Sequence, residues 1–208
     1  MLQIIPALLV AITVVIQYLA VQMSRYRLSR MNARPPHHGL ALMSGMLAAA
    51  AIILRLYQND SAVGVLFMTI MTGCMTLMTL TDAASCRLPR PFTIMYLISG
   101  SAFRLWQGDW LTGLCSAGFW FLLLLLFRQY TSYRRKTETI GLGDVFLIAG
   151  IAIWSPPGDI PWIVATAAGG ALLYLWCNRQ RRITRELPFG PFLCASQYAF
   201  TFYPGGLW

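Results

Sequence analysis

Apolar segments of membrane-spanning length recur along this chain, and they restrict its fold more than any other feature. The 20 residues from Ala62 to Thr81, AVGVLFMTIMTGCMTLMTLT, carry no charge and would cross the roughly 30 Å apolar core of a bilayer as one helix. Eight candidate spans are predicted, three of them short: Leu2 to Gln22, Gly39 to Tyr57, Ala62 to Leu80, Phe92 to Trp106, Trp110 to Phe127, Val145 to Trp154, Trp162 to Cys177 and Phe192 to Tyr203. We therefore predict an all-α, polytopic membrane protein of about eight transmembrane helices, with residues 1–208 in a single domain.

Composition supports this prediction and excludes other classes. The chain is 57% hydrophobic and only 11% charged, unlike an ordinary soluble domain. A net charge of +9 would suit a nucleic-acid partner, but the basic residues lie in short connections between apolar segments, so we expect no such partner. The five cysteines form no C-x-x-C pair, which argues against a zinc site or a disulfide framework. Methionines at near-helical spacing in the third segment (Met68, Met71, Met75 and Met78) are interpreted as packing residues.

The distribution of basic residues predicts an orientation, because short loops rich in Lys and Arg stay in the cytoplasm. Of the 16 Lys and Arg residues, 14 fall on alternate connections and so on one side of the membrane. We therefore predict four basic loops inside and both termini outside. No basic residue precedes the first apolar segment, which favours a retained first span over a cleaved signal peptide.

Two aspartates occupy unusual positions at the predicted inner boundary. Asp82 follows the long third segment, and Asp144 precedes a sixth segment of only ten residues, which ends before Pro156 and Pro157. A ten-residue helix covers about 15 Å, half of the apolar core, so Asp144 is expected at or below the membrane surface. Carboxylates in such a place are costly unless they are paired or functional. Two of them close together can share a proton and act as acid and base on a water molecule.

Other interpretations of the aspartates stay open at this point. Each one alone is equally explained as a helix cap or an interfacial residue. Gly141 and Gly143, on the approach to Asp144, are not needed by a simple cap and would let a substrate backbone come close. A proton-coupled transporter using Asp82 and Asp144 as a relay is one alternative. A non-catalytic membrane scaffold for the assembly of other proteins is another.

Three short motifs, each on a predicted inner loop, carry a resemblance to a known family. GLGD (Gly141 to Asp144) has the G-x-G-D form of intramembrane aspartyl proteases. DAASCRLPRPFT (Asp82 to Thr93) resembles the loop of the first aspartate in type IV prepilin peptidases, and ELPFGPFL (Glu186 to Leu193) is similar to the segment that opens their last span. The order of the three motifs makes the match more specific than G-x-G-D alone.

The resemblance implies an aspartic endopeptidase of the bacterial inner membrane. It would cut the short basic leader from type IV pilin or pseudopilin precursors at the cytoplasmic face, with Asp82 and Asp144 as the catalytic pair. Such cleavage needs no metal and no cofactor. The expected partners are the precursor and membrane lipid. Glu138 and Glu186, beside two of the motifs, are predicted to attract lysines of the leader.

The chain departs from the family pattern at two places. Many members have a lysine two residues after the G-x-G-D aspartate, where this chain has Phe146. Many also carry a large cytoplasmic insertion with C-x-x-C motifs after the first span and N-methylate the new N-terminus. Here that loop is predicted to run only from Ser24 to His38, without cysteine. We therefore expect a minimal peptidase, with S-adenosylmethionine as a cofactor only if N-methylation occurs.

Overall fold

A computed structural model describes residues 4–31, 38–57, 61–136, 141–178 and 187–202, and the regular secondary structure in these ranges is helical. These ranges contain eight helices: α1 (Ile4–Arg30), α2 (His38–Tyr57), α3 (Ala62–Ser85), α4 (Arg90–Gln107), α5 (Trp110–Arg135), α6 (Leu142–Trp154), α7 (Ile160–Cys177) and α8 (Gly190–Thr201). Each predicted apolar segment corresponds to one helix, so the all-α prediction is confirmed for the described residues.

Within the part of the chain that the structure describes, four helices are long and apolar enough to cross a membrane. They contain the segments Leu8–Arg30, Ala62–Ser85, Trp110–Arg134 and Ile160–Cys177, and α2 and α6 contain shorter apolar stretches. Many large apolar side chains on α1, α5 and α7 are exposed. Because such surfaces are unfavourable in water, they identify a membrane protein.

Two helices extend well beyond the predicted apolar segments. Helix α1 continues to Arg30, eight residues past Gln22, and α5 continues to Arg135, eight residues past Phe127. The predicted loop from Ser24 to His38 is therefore wrong for its first seven residues. Hydropathy detects where apolar residues end, but Arg, Gln and Ser continue a helix into water at little cost.

Helix α3 lies at the centre of the bundle, where it packs against α1, α2, α4 and α8. The four methionines at near-helical spacing in α3 are fully buried in the main apolar cluster, which confirms their interpretation as packing residues. Polar contacts also join α3 to α1: the hydroxyls of Thr13 and Thr69 lie 3.1 Å apart, and Gln17 donates to Thr72. Side-chain hydrogen bonds of this kind help membrane helices to associate where apolar burial does not.

Helix α6 packs between α4 and α5 and also contacts α7 and α8. Glycines bring α4 and α6 unusually close together: a Cβ atom at Gly150 would lie 2.5 Å from the Tyr96 ring, and one at Gly100 would lie 2.8 Å from Nε1 of Trp154. Trp154 also donates from Nε1 to the Tyr96 carbonyl oxygen and stacks on Phe103. These contacts hold α6 against α4 at a fixed register.

Candidate active site

Asp82 lies in the last turn of α3 and is 4% exposed. Its Oδ2 atom accepts a hydrogen bond of 2.8 Å from the backbone N–H of Gly190, the first residue of α8. A Cβ atom at position 190 would lie only 2.8 Å from the same oxygen. The start of α8 thus approaches the Asp82 carboxylate closely because residue 190 is glycine.

Asp144 lies in the first turn of α6 and is half-buried. The turn begins at Gly141, whose carbonyl oxygen accepts the backbone N–H of Asp144. Gly143 has a packing role, because a Cβ atom there would lie 2.7 Å from Cβ of Leu88 in the α3–α4 connection. This glycine lets the N-terminus of α6 sit against the chain segment that follows Asp82.

Both aspartates line one cavity of about 270 Å³ and lie close enough to interact electrostatically. The structure therefore brings together two residues that are 62 positions apart in the chain. The cavity is lined by Asp82, Cys86, Arg87, Leu88, Arg90, Gly141, Leu142, Gly143, Asp144 and Phe146. It is large enough for a water molecule and part of an extended peptide, since water in the liquid occupies about 30 Å³.

Phe146 also lines this cavity, two residues after Asp144. Its ring centroid lies 5.3 Å from that of Phe121 on α5. Phe146 thus gives the cavity an apolar wall at the position where the family resemblance implies a lysine, and Phe121 supports its ring from behind.

The other predicted site residues have different outcomes. Gly141 and Gly143 line the cavity, and the approach of a substrate backbone to them stays a prediction. Glu138 and Glu186 lie outside the described residues. Among the described residues, no group of three or more His, Cys, Asp or Glu is placed to hold a metal ion.

Gly190 was not among the predicted site residues, although it belongs to the motif ELPFGPFL. The available signal was a glycine directly before Pro191 at the expected start of a helix. Such a glycine is also common in ordinary turns, so the sequence did not indicate a contact with Asp82.

Comparison with known proteins gives an independent result. The model of the type IV leader peptidase family matches residues 69–176, a range that contains both aspartates. The chain is 33% identical over 175 residues to the "Prepilin leader peptidase/N-methyltransferase" of Burkholderia pseudomallei strains 1026b and K96243, covering 79% of this chain and 53% of each relative. It thus spans about half the length of the curated relatives it matches. No solved structure is significantly similar to it.

Proposed function

Because the chain belongs to the type IV leader peptidase family, we propose that it is an aspartic endopeptidase that removes the leader from prepilin-like precursors. One observation carries this proposal: Asp82 from α3 and Asp144 from α6 share a single cavity. Two adjacent carboxyl groups supply the base and the acid that peptide hydrolysis requires. The reaction then needs neither a metal nor a covalent intermediate.

The contacts of the two aspartates support different roles for them. Two carboxyl groups that line one cavity share a proton, because ionising both would place two negative charges next to each other. Asp82 accepts a backbone N–H at the N-terminus of α8, where hydrogen bonding and the helix dipole favour the ionised form. No described residue donates a hydrogen bond to the carboxyl group of Asp144. We assign Asp82 as the base and Asp144 as the acid that holds the shared proton.

Hydrolysis then follows with balanced proton transfers. Asp82 takes a proton from water as the water oxygen attacks the carbonyl carbon of the scissile bond. Asp144 gives its proton to the amide nitrogen, and the C–N bond breaks. The leader leaves as a carboxylic acid, which releases its proton to water, and the mature pilin leaves with a new amino group. The proton that Asp82 took from water passes to Asp144, which restores the pair.

We propose that the chain is a multi-pass protein of the bacterial inner membrane, with eight spans and both termini outside. This is supported by the four long apolar helices and by the 14 basic residues on alternate connections. In this orientation the cavity lies at the cytoplasmic boundary. The positive charges of a basic leader would keep the leader on the same side of the membrane. The apolar helix of the precursor would remain in lipid beside the peptidase.

Replacement of either aspartate tests the peptidase proposal. We expect Asp82→Asn and Asp144→Asn each to reduce cleavage of a co-expressed, tagged prepilin by 100-fold or more, because each removes a group that transfers a proton. Asp159→Asn is the matched control. This aspartate is the N-cap residue of α7 and does not line the cavity, so its replacement should leave cleavage unchanged. The measurement is the size shift of the precursor.

Two outcomes of this experiment would contradict the proposal. Cleavage that survives both replacements would remove the aspartates from the reaction. A carboxyl-dependent ion flux without cleavage would favour a transporter. The mass of the product also tests N-methylation, which the names of the relatives include. We propose cleavage alone and expect an unmethylated product in the presence of S-adenosylmethionine.

We further propose that Glu138 and Glu186 attract the basic leader. Glu138 lies three residues before the GLGD motif and Glu186 begins ELPFGPFL in the sequence, and negative charges beside these motifs would raise the local concentration of leader lysines. The double variant Glu138→Lys, Glu186→Lys should raise KM for the precursor several-fold with little change in kcat. Asp159→Lys is the control for added positive charge. An unchanged KM in the double variant would contradict this role.

A further inference from the structure

Two backbone carbonyl groups at the C-terminal end of α6 have no N–H group to accept from the residues that follow the helix. In an α-helix each carbonyl accepts the N–H of the residue four positions later. For Ala152 and Ile153 those residues are Pro156 and Pro157, which have no N–H to donate. A buried carbonyl without a partner is costly, most of all inside a membrane. The proline pair therefore creates a need for donors from another part of the molecule.

Arg104, in the last turn of α4, supplies a donor to one of these two carbonyls, that of Ile153, and a second donor to the carbonyl of Ser155 at the end of the helix. Its Nε atom donates to the carbonyl oxygen of Ile153 at 2.8 Å, and Nη2 donates to that of Ser155 at 3.1 Å. Its third nitrogen, Nη1, lies 3.3 Å from Oδ2 of Asp109. The positive guanidinium also opposes the negative end of the α6 helix dipole. One side chain thus binds the end of α6 through two hydrogen bonds and its charge.

The surroundings of Arg104 are shaped to hold it there. The side chain is buried, with the residue 7% exposed. Position 113 on α5 is glycine, and a Cβ atom there would lie 2.9 Å from Cγ of Arg104. On α4 the preceding residue, Phe103, stacks on Trp154 at the end of α6. Burying a guanidinium this deeply is costly unless its N–H groups make hydrogen bonds. Two of its three nitrogens donate to carbonyls at the end of α6, and the third lies beside Asp109.

The consequence reaches Asp144, at the opposite end of the same helix. Helix α6 has 13 residues and is about 20 Å long, shorter than the bilayer core of roughly 30 Å. Its length alone therefore does not set its depth in the membrane. Asp144 precedes Ile153 by nine residues, or about 14 Å along a rigid helix. Fixing the carbonyl of Ile153 fixes the position of Asp144.

We propose that Arg104 is a positioning residue for the catalytic pair: by holding the outer end of α6, it sets the depth at which Asp144 meets Asp82. This inference rests on the proposed peptidase function for its effect on cleavage. Its effect on the depth of α6 is independent of that function. A shift of about 1 Å in a catalytic group lowers rates by up to about 100-fold.

The experiment compares Arg104→Met, Arg104→Lys and Asp109→Asn in the full chain. Methionine keeps much of the stem without donors, lysine keeps the charge without the planar fork, and Asp109→Asn removes only the ion pair. Two quantities are measured: kcat and KM for precursor cleavage, and the labelling rate of Asp144→Cys by a membrane-impermeant maleimide in inverted vesicles. The labelling variants have all five native cysteines replaced.

We expect Arg104→Met to lower kcat at least tenfold with KM within twofold, and to change the labelling rate at position 144 at least threefold. Arg104→Lys should recover part of both effects, and Asp109→Asn should behave as the unsubstituted protein. If Arg104→Met does not fold, Arg104→Lys alone decides by the same two measurements. An unchanged labelling rate, with or without a loss of kcat, would overturn the proposal. If the unsubstituted protein does not cleave the precursor, the proposed function fails, and the labelling rates still decide the role of Arg104.

Discussion

At the scale of single residues, the site depends on how closely backbone approaches a carboxylate. The N–H of Gly190 reaches Asp82 because no side chain intervenes, and a Cβ atom there would meet the carboxylate oxygen at 2.8 Å. A side chain at position 190 would therefore force the Asp82 carboxylate to move. Here the neighbour is the proposed base, so its orientation and its ionised form both depend on glycine at position 190.

We predict that Gly190→Ala lowers kcat for precursor cleavage at least tenfold, because the methyl group displaces the Asp82 carboxylate from its N–H donor. Gly169→Ala is the matched control, since a Cβ atom at that position of α7 meets nothing within 4 Å. Cleavage kinetics on equal amounts of folded protein provide the measurement. If Gly190→Ala cleaves as fast as Gly169→Ala, the contact has no part in the reaction.

At the scale of elements, α6 shows how a helix too short for the bilayer is accommodated. Its residues from Leu147 to Trp154 are all buried, so this part of the helix contacts protein on every side. Such a helix can be short because its neighbours, not lipid, surround its ends. Gly143 and Gly150 bring it against Leu88 and Tyr96, while its C-terminal end binds Arg104. The position of Asp144 thus follows from contacts along the whole element.

At the scale of the whole molecule, the buried helices α3 and α6 carry the aspartates, and the more exposed helices surround them. Of the 18 consecutive residues that are most apolar in each helix, 72% are buried in α3, 17% in α5, and 22% in both α1 and α7. Apolar residues all around α3 suit a central position. The C-terminal end of α3 and the start of α6 meet at one side of the bundle, where Asp82 and Asp144 line the cavity.

The proposed orientation predicts which ends of α5 are accessible from each side. In a variant without native cysteines, Gln107→Cys, at the exposed end of α4 before α5, should react with an impermeant maleimide in spheroplasts. Tyr133→Cys, 87% exposed near the end of α5, should react only in inverted vesicles. Each variant is the control for the other. Labelling of both from the same side would refute the orientation.

The sequence by itself determined the helical class, the order of the eight segments and the two aspartates as candidate residues. These properties follow from local features: apolar runs, basic loops and short motifs. Local features did not indicate the ends of α1 and α5, since polar residues of good helix propensity carried both helices onward.

Only the tertiary structure decided what holds the aspartates in place. The N–H of Gly190 lies 108 positions from Asp82 in the chain, and Arg104 lies 49 positions from the carbonyl it binds on α6. In the sequence Arg104 is one of two basic residues outside the four basic loops, and Gly190 resembles an ordinary turn glycine. Contacts between residues so distant in the chain arise when helices pack, and their partners depend on helix register and depth, which no local pattern encodes.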